Sequence, residues 1–308
     1  MNQTNPAGPA VAPTSAFADW RDYFALLKPR VMTLVIFTAA CAMIAAPGTL
    51  HPFLAFVSVL CVAVAAGAAG ALNQWYEADI DALMKRTANR PLPAGRLPAH
   101  EALAFGIILS VGSVLTMGLA LNWVAAAWLA VSIGFYVVVY TMWLKRRTPQ
   151  NIVIGGAAGA FPVLVGWASV TGDTPLMAWV LFGIIFLWTP PHFWALALFM
   201  EADYSKAGVP MLPVTHGLAE TRRQILWYSL ALVLCTLVPL PGITGLAGWA
   251  YGSTALVTGA MFLLFAWRVS RSTATAAPDM LAERKLFKFS LFYLACLFGA
   301  LVADVWLA

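Results

Sequence analysis

Apolar stretches of about 20 residues, enough to cross the hydrocarbon core of a bilayer, recur along this chain. They fall near 31–50, 53–73, 102–121, 123–144, 152–170, 177–198, 225–241, 246–267 and 287–307. Backbone in lipid must satisfy its own N–H and C=O groups, and runs of this length do so as α-helices. The expected fold is therefore all-α, a polytopic membrane protein of about nine transmembrane helices in a bundle. A charged fraction of 10% and a mean hydropathy of +0.81 exclude an ordinary soluble domain, in which about a quarter of residues are charged.

The basic residues orient the bundle. Short cytoplasmic loops collect Lys and Arg, and with nine spans the 18 basic residues all fall on one side. Arg21, Lys28 and Arg30 precede the first span, and Lys85, Arg86, Arg90 and Arg96 follow the second. Lys145, Arg146 and Arg147 follow the fourth, and Lys206, Arg222 and Arg223 the sixth. Arg268, Arg271, Arg284, Lys285 and Lys288 lie between the last two. This pattern predicts a cytoplasmic N-terminus and a C-terminus on the outer side. The net charge of +5 then reflects orientation against an anionic inner leaflet and calls for no nucleic acid.

Residues 1–27, rich in Ala, Pro and Thr toward the start, read as a mobile cytoplasmic tail without the basic n-region of a signal peptide. Residues 28–308 read as one transmembrane domain with inner catalytic loops at 74–101 and 199–224. Cys41, Cys61, Cys235 and Cys296 lie singly within spans and read as packing residues.

The first of these loops opens with an acidic cluster in Asn73-Gln74-Trp75-Tyr76-Glu77-Ala78-Asp79-Ile80-Asp81. On a continuous helix Asn73, Glu77 and Asp81 share one face, whereas Asp79 points elsewhere and is placed to pair with a neighbouring arginine. Oxygen ligands of this kind hold Mg²⁺ chiefly by sharing it with a phosphate, and the following Arg86 and Arg90 can grip phosphate oxygens. The bland alternative is a capping or charge-neutralising role for Glu77 and Asp81.

The second loop runs from Trp188 to Gly217. Pro190 and Pro191 predict a kink or a fresh helical start, after which a helix running on would bring His192, Phe199 and Asp203 to one face with Lys206 close by. Buried polar residues in spans are functional by default, so His192 is a candidate substrate contact; an interhelical hydrogen bond is the alternative. His216 lies beyond a Pro-rich turn, and His51 and His100 sit at span ends as interfacial anchors. The two loops are four spans apart, which suggests two four-helix units in pseudo-repeat. Gly155, Gly156 and Gly159 predict close helix approach, with a kink at Pro162.

The first loop resembles the Asn-x-x-x-Asp-x-x-x-Asp signature of UbiA-type intramembrane prenyltransferases, with Glu77 replacing the first aspartate. Lys28-Pro29-Arg30-Val31-Met32-Thr33, Asn73 to Gly95, Tyr140 to Gly156 and Trp188 to Gly217 resemble, more narrowly, the branch of that family that farnesylates heme b. The second acidic motif departs from the Asp-rich family pattern, thinning to Glu201, Asp203 and Lys206.

This resemblance implies transfer of the farnesyl group of farnesyl diphosphate to a heme b vinyl group, giving heme O, with Mg²⁺ as cofactor. It implies a metal set of Asn73, Glu77, Asp81 and Asp203, with Lys206 beside them in the catalytic group. Arg86, Arg90, Lys145, Arg146 and Lys206 become candidates for the diphosphate, although the positive-inside rule alone also explains Lys145 and Arg146. Tyr140 and His192 become candidate substrate contacts. Trp75, Tyr76, Trp188, Phe193 and Trp194 are further aromatic candidates for the walls around an allylic cation. The implied partners are farnesyl diphosphate, heme b and membrane lipid, with heme A synthase or an oxidase-assembly protein as the class of protein partner. The implied location is a bacterial inner membrane. The rival readings are a prenyltransferase of an aromatic acid or quinone precursor, a transporter and a heme-handling protein. A transporter would place its charges near the bilayer midplane rather than at the inner rim.

Overall fold

The computed structural model describes residues 19–307. Nine long helices form the bundle among these residues: α2 (Pro29–Ala45), α3 (Pro52–Tyr76), α5 (Ala99–Ala120), α6 (Trp123–Gly134), α7 (Asn151–Thr171), α8 (Leu176–Phe199), α10 (Leu212–Leu237), α11 (Trp249–Ser270) and α12 (Leu281–Leu307). Helix α6 continues without interruption as a π-helix, Phe135–Leu144. Three short helices complete the set: α1 (Trp20–Leu26), α4 (Ala78–Leu83) and α9 (Glu201–Lys206). There is no strand among the described residues.

Seven of these helices are long and apolar enough to cross a membrane, counting α6 with its π segment as one; the apolar part of α2 is shorter, Met32–Ala45. Helix α10 carries Glu220, Arg222 and Arg223 in its first half, so its apolar part begins later than its backbone.

Chain-adjacent helices pack side by side around the bundle, and α12 closes on α2. Helix α2 also packs against α7, its counterpart in the suggested second unit. Helix α7 is the most enclosed span, and its glycines permit that position. A Cβ on Gly166 would overlap the Ala39 backbone, and one on Gly156 would lie 3.0 Å from Thr189. Polar ties cross the apolar interior. The Trp188 indole donates to the Ser290 carbonyl at 2.8 Å, joining α8 to α12. At one end of the bundle, Asp304 accepts from the backbone N–H groups of Gly248, Ala250 and Tyr251 at 2.8, 2.9 and 3.1 Å, satisfying donors that the α11 N-terminus leaves open.

Several expectations are corrected. Helix α8 makes no fresh start at Pro190 and Pro191 but runs on through them; residues 188–192 are all buried, and packing of this kind tolerates proline in a span. The break comes instead at Met200 (φ −116, ψ 14), so Asp203 lies on the separate α9 and not on the helical face of His192 and Phe199. Helix α10 starts well before the expected position 225 and bends at Gly217, whose φ of 80 suits glycine. Within the stretch expected to be a tail, Trp20–Leu26 forms α1, whose fully buried Leu26 belongs to a small core with Ala71, Leu97 and Ala102. The rest of that expectation, residues 1–18, lies outside the described residues.

Candidate active site

The acidic face is built where α3 passes into α4. Glu77 adopts φ −102, ψ 16 at the junction, yet Glu77 N–H donates to the Asn73 carbonyl at 3.0 Å and Asp81 N–H to the Glu77 carbonyl at 2.9 Å. The helical i, i+4 pattern therefore survives the junction, and Asn73, Glu77 and Asp81 stay on one face. All three are buried, with 2%, 1% and 3% exposure. The Asp79 side chain is 64% exposed and lies in a two-pronged ion pair with Arg146, at 2.7 and 2.9 Å.

Each residue on this face meets a cation from a different segment. Lys28, in the turn between α1 and α2, donates to Asn73 Oδ1 at 2.5 Å. Lys145, at the end of the π segment, donates to Glu77 Oε2. Arg90 donates to Asp81 Oδ2 at 2.6 Å. Its loop is held by buried Thr87, whose hydroxyl donates to the Asp81 carbonyl at 2.8 Å and whose carbonyl accepts from Arg90 N–H at 3.0 Å. Asn73 Nδ2 donates to Thr141 Oγ1 at 3.0 Å.

Two backbone features set these positions. Lys28 has φ 53 and is the one non-glycine residue in the left-handed region among those described; such strain, roughly 1 kcal/mol or more, persists only where the surroundings impose it. Burial, together with nearby Arg90 and Lys145, lowers its ammonium to about 7. The π-helical turn, with Lys145 N–H donating to the Tyr140 carbonyl at 2.9 Å, sets the register that turns both Thr141 and Lys145 toward α3. Gly155 makes room for this turn, since a Cβ there would overlap the Tyr140 ring.

The oxygen set suits a hard cation. Glu77 Oε1 is buried and has no hydrogen-bond partner, a costly arrangement for a carboxylate unless something fills the gap. An amide oxygen and two carboxylates are donors of the type Mg²⁺ takes. Among the described residues no three His, Cys, Asp or Glu side chains group closely enough to hold an ion by themselves, so Asp203 does not join Glu77 and Asp81 directly. A small carboxylate count fits an ion that a phosphate completes.

The second loop comes near through Tyr204. Its phenol is raised, chiefly by desolvation, and it feels the charges of Arg86, Lys145, Asp203 and Glu77. Asp203 is half-buried, while Lys206 and Arg86 are exposed. His192 is not part of the carboxylate group. Its Nδ1 meets Ser290 Oγ at 2.6 Å, and its ring stacks between Trp188 and Phe287 with centroids 4.2 and 4.6 Å away. A cavity of about 380 Å³ opens beside the second loop, lined by Leu198, Phe199, Glu201, Pro213, Leu218 and Thr275 among others. Lys28, Thr141 and Tyr204 escaped selection from sequence. The signal for Lys28 lay in the Lys-Pro-Arg stretch, but nothing in the letters gives Thr141 or Tyr204.

Fold and site together define a multi-pass helical membrane protein with a buried, oxygen-rich site joining several inter-helix segments. The chain belongs to the UbiA prenyltransferase family, whose model matches residues 34–303. Among curated relatives, a protoheme IX farnesyltransferase of Rhizorhabdus wittichii is 60% identical, over 96% of this chain and 97% of its own length. One of Parvibaculum lavamentivorans is 59% identical, over 98% and 94%. Solved structures share the fold at low identity. A digeranylgeranylglyceryl phosphate synthase superposes with a TM-score of 0.75 at 19% identity, over 93% of this chain and 98% of that one. A UbiA homolog from Archaeoglobus fulgidus bound to DMAPP and Mg²⁺ gives 0.65 at 16%, over 91% and 99%.

Proposed function

We propose that this protein transfers the farnesyl group of farnesyl diphosphate to a vinyl group of heme b, with Mg²⁺ and a bacterial inner membrane as its setting. The substrate pair is supported by relatives named protoheme IX farnesyltransferase at up to 60% identity along nearly the whole chain. The observation that carries the site is the buried Asn73–Glu77–Asp81 face with its unpartnered Glu77 oxygen. A divalent ion and a prenyl diphosphate are supported by the Archaeoglobus relative, bound to DMAPP and Mg²⁺.

The reaction breaks the allylic C–O bond of farnesyl diphosphate, and its electron pair leaves with the diphosphate. The vinyl π pair attacks the resulting allylic carbon, the positive charge passes to the vinyl carbon next to the porphyrin, and water adds there and loses a proton, to the diphosphate or to solvent, to give the hydroxyethylfarnesyl product. When bound, Mg²⁺ supplies positive charge against the departing oxygens. Asn73, Glu77 and Asp81 would hold the ion, and Asp203 on α9 would add negative charge from the second loop. Lys28, Arg90 and Lys145 line the same face and neutralise charge as it grows on the leaving group; Arg86, Arg146 and Lys206 act at the rim. Tyr140 and Tyr204 wall the reacting end, where an aromatic face favours a cation and exclusion of water protects it. His192 ties α8 to α12 through Ser290. The inner-rim placement follows from the basic residues, which gather on the predicted cytoplasmic side.

The test is direct. Purified protein receives heme b, farnesyl diphosphate and Mg²⁺, and the extracted pigment is weighed by mass spectrometry. Farnesylated heme from the native chain and none from Asp81→Asn is expected. Folded native protein that yields no farnesylated heme refutes the proposal.

A further inference from the structure

The three residues of the acidic face carry a feature that a simple metal site does not need: each is already bonded to a cation of the chain itself. Lys145 occupies Glu77 Oε2, Arg90 occupies Asp81 Oδ2 at 2.6 Å, and Lys28 occupies Asn73 Oδ1 at 2.5 Å. These partners come from three separate inter-helix segments, and two of the pairs are largely withdrawn from water. Arg90 and Lys145 alone balance both carboxylates. A bare divalent ion therefore meets a cradle with no net negative charge to attract it, and it must displace ammonium or guanidinium groups that would stay beside it as like charges. The balance reverses when the ion arrives with a polyanionic diphosphate. Arg90 and Lys145 then gain phosphate oxygens, charge-assisted partners at least as strong as the carboxylates they leave, Lys28 exchanges a neutral amide oxygen for a charged one, and Glu77 and Asp81 turn to the metal.

We propose that Lys28, Arg90 and Lys145 are exchangeable counter-ions that exclude a bare metal ion from the Asn73–Glu77–Asp81 face and move onto the diphosphate when metal and diphosphate bind together. The exchange makes occupancy conditional, so the site charges with metal only when a diphosphate is present. Glu77 Oε1, buried and without a hydrogen-bond partner, stays free of this pairing and is the first point of contact for the incoming ion. The inference rests on the reading of this face as the metal site.

The same logic fixes opposite signs for one substitution. Removing the Lys145 ammonium leaves Glu77 uncompensated, which favours the bare ion, and takes a cation from the diphosphate, which disfavours the pair. The full-length protein in detergent is titrated with Mn²⁺ alone and with Mn²⁺ plus inorganic pyrophosphate, bound metal being read by electron paramagnetic resonance. Native protein is expected to bind Mn²⁺ roughly tenfold more tightly with pyrophosphate present. In Lys145→Met, binding of Mn²⁺ alone should tighten severalfold while binding in the presence of pyrophosphate weakens. Arg90→Gln should repeat the pattern at Asp81 and serves should Lys145→Met not fold. If both variants leave bare Mn²⁺ binding unchanged or weaker while Glu77→Gln abolishes it, the exchange is refuted and the metal site stands. If Glu77→Gln binds Mn²⁺ with pyrophosphate as the native chain does, the site reading itself fails.

Discussion

Lys28 Nζ lies 2.5 Å from Asn73 Oδ1, a contact between the turn entering α2 and the last turn of α3 made by a lysine in the left-handed region. Because Thr141 takes the amide nitrogen, the Asn73 oxygen can face only the cation side of the site. Lys28→Met should therefore lower kcat/KM for farnesyl diphosphate by about 10²–10³-fold, the usual loss when one donor to a developing anion is removed. Steady-state heme O formation across a farnesyl diphosphate series checks this; native kinetics would remove Lys28 from the site.

Gly155 separates packing from chemistry. A Cβ there overlaps the Tyr140 ring, whereas one on Gly159 meets nothing within 4 Å. Gly155→Ala should cost about 1–3 kcal/mol through overpacking and impair turnover by shifting the π-helical segment that carries Thr141 and Lys145. Gly159→Ala should change neither. Thermal unfolding in detergent beside turnover distinguishes the two.

Away from the site, Arg222 and Glu283 form a buried pair between α10 and α12 at 2.8 Å, 7% and 0% exposed at the side chain. Removing one partner strands a buried charge. Arg222→Met should destabilise by roughly 3–5 kcal/mol, and Arg222→Met with Glu283→Leu should recover much of that loss. Unfolding midpoints of the single and double variants measure the difference.

Arg146 holds the Asp79 carboxyl below the usual carboxylate range by hydrogen bonding to it. A depressed folded-state pKa contributes stability that is present above the ordinary carboxylate value and is lost as pH falls through the folded value. With Asp79 64% exposed, the effect is screened and stays under about 1 kcal/mol. Asp79→Asn should slightly flatten the acid limb of the stability curve while leaving the neutral plateau unchanged within that margin.

Hydropathy located the spans closely, because lipid imposes a helix of fixed minimum length wherever apolar residues run on: 123–144 and 152–170 lie on Trp123–Leu144 and Asn151–Thr171. Helical spacing likewise placed Asn73, Glu77 and Asp81 on a shared face and Asp79 off it, but it did not select Arg146, 67 positions away, as the partner of Asp79. Features decided by tertiary packing were not legible. The π segment depends on Gly155 receiving Tyr140, and the continuity of α8 through two prolines depends on the helices around it. The Lys28–Asn73 hydrogen bond and the Lys145–Glu77 ion pair join residues 45 and 68 positions apart, a separation that composition and local pattern cannot resolve. The break at Met200, which moves Asp203 off the His192 helix, follows from no letter of the sequence.

A structure of the protein with Mg²⁺ and a non-ionisable thio analogue of farnesyl diphosphate is the decisive measurement for the Asn73–Glu77–Asp81 face. It should show an ion at about 2.1 Å from Glu77 Oε1, with Lys145 and Arg90 turned onto the diphosphate oxygens. An ion and diphosphate seated elsewhere, such as beside Phe199 and Glu201, with the Glu77–Lys145 pair intact, would contradict it.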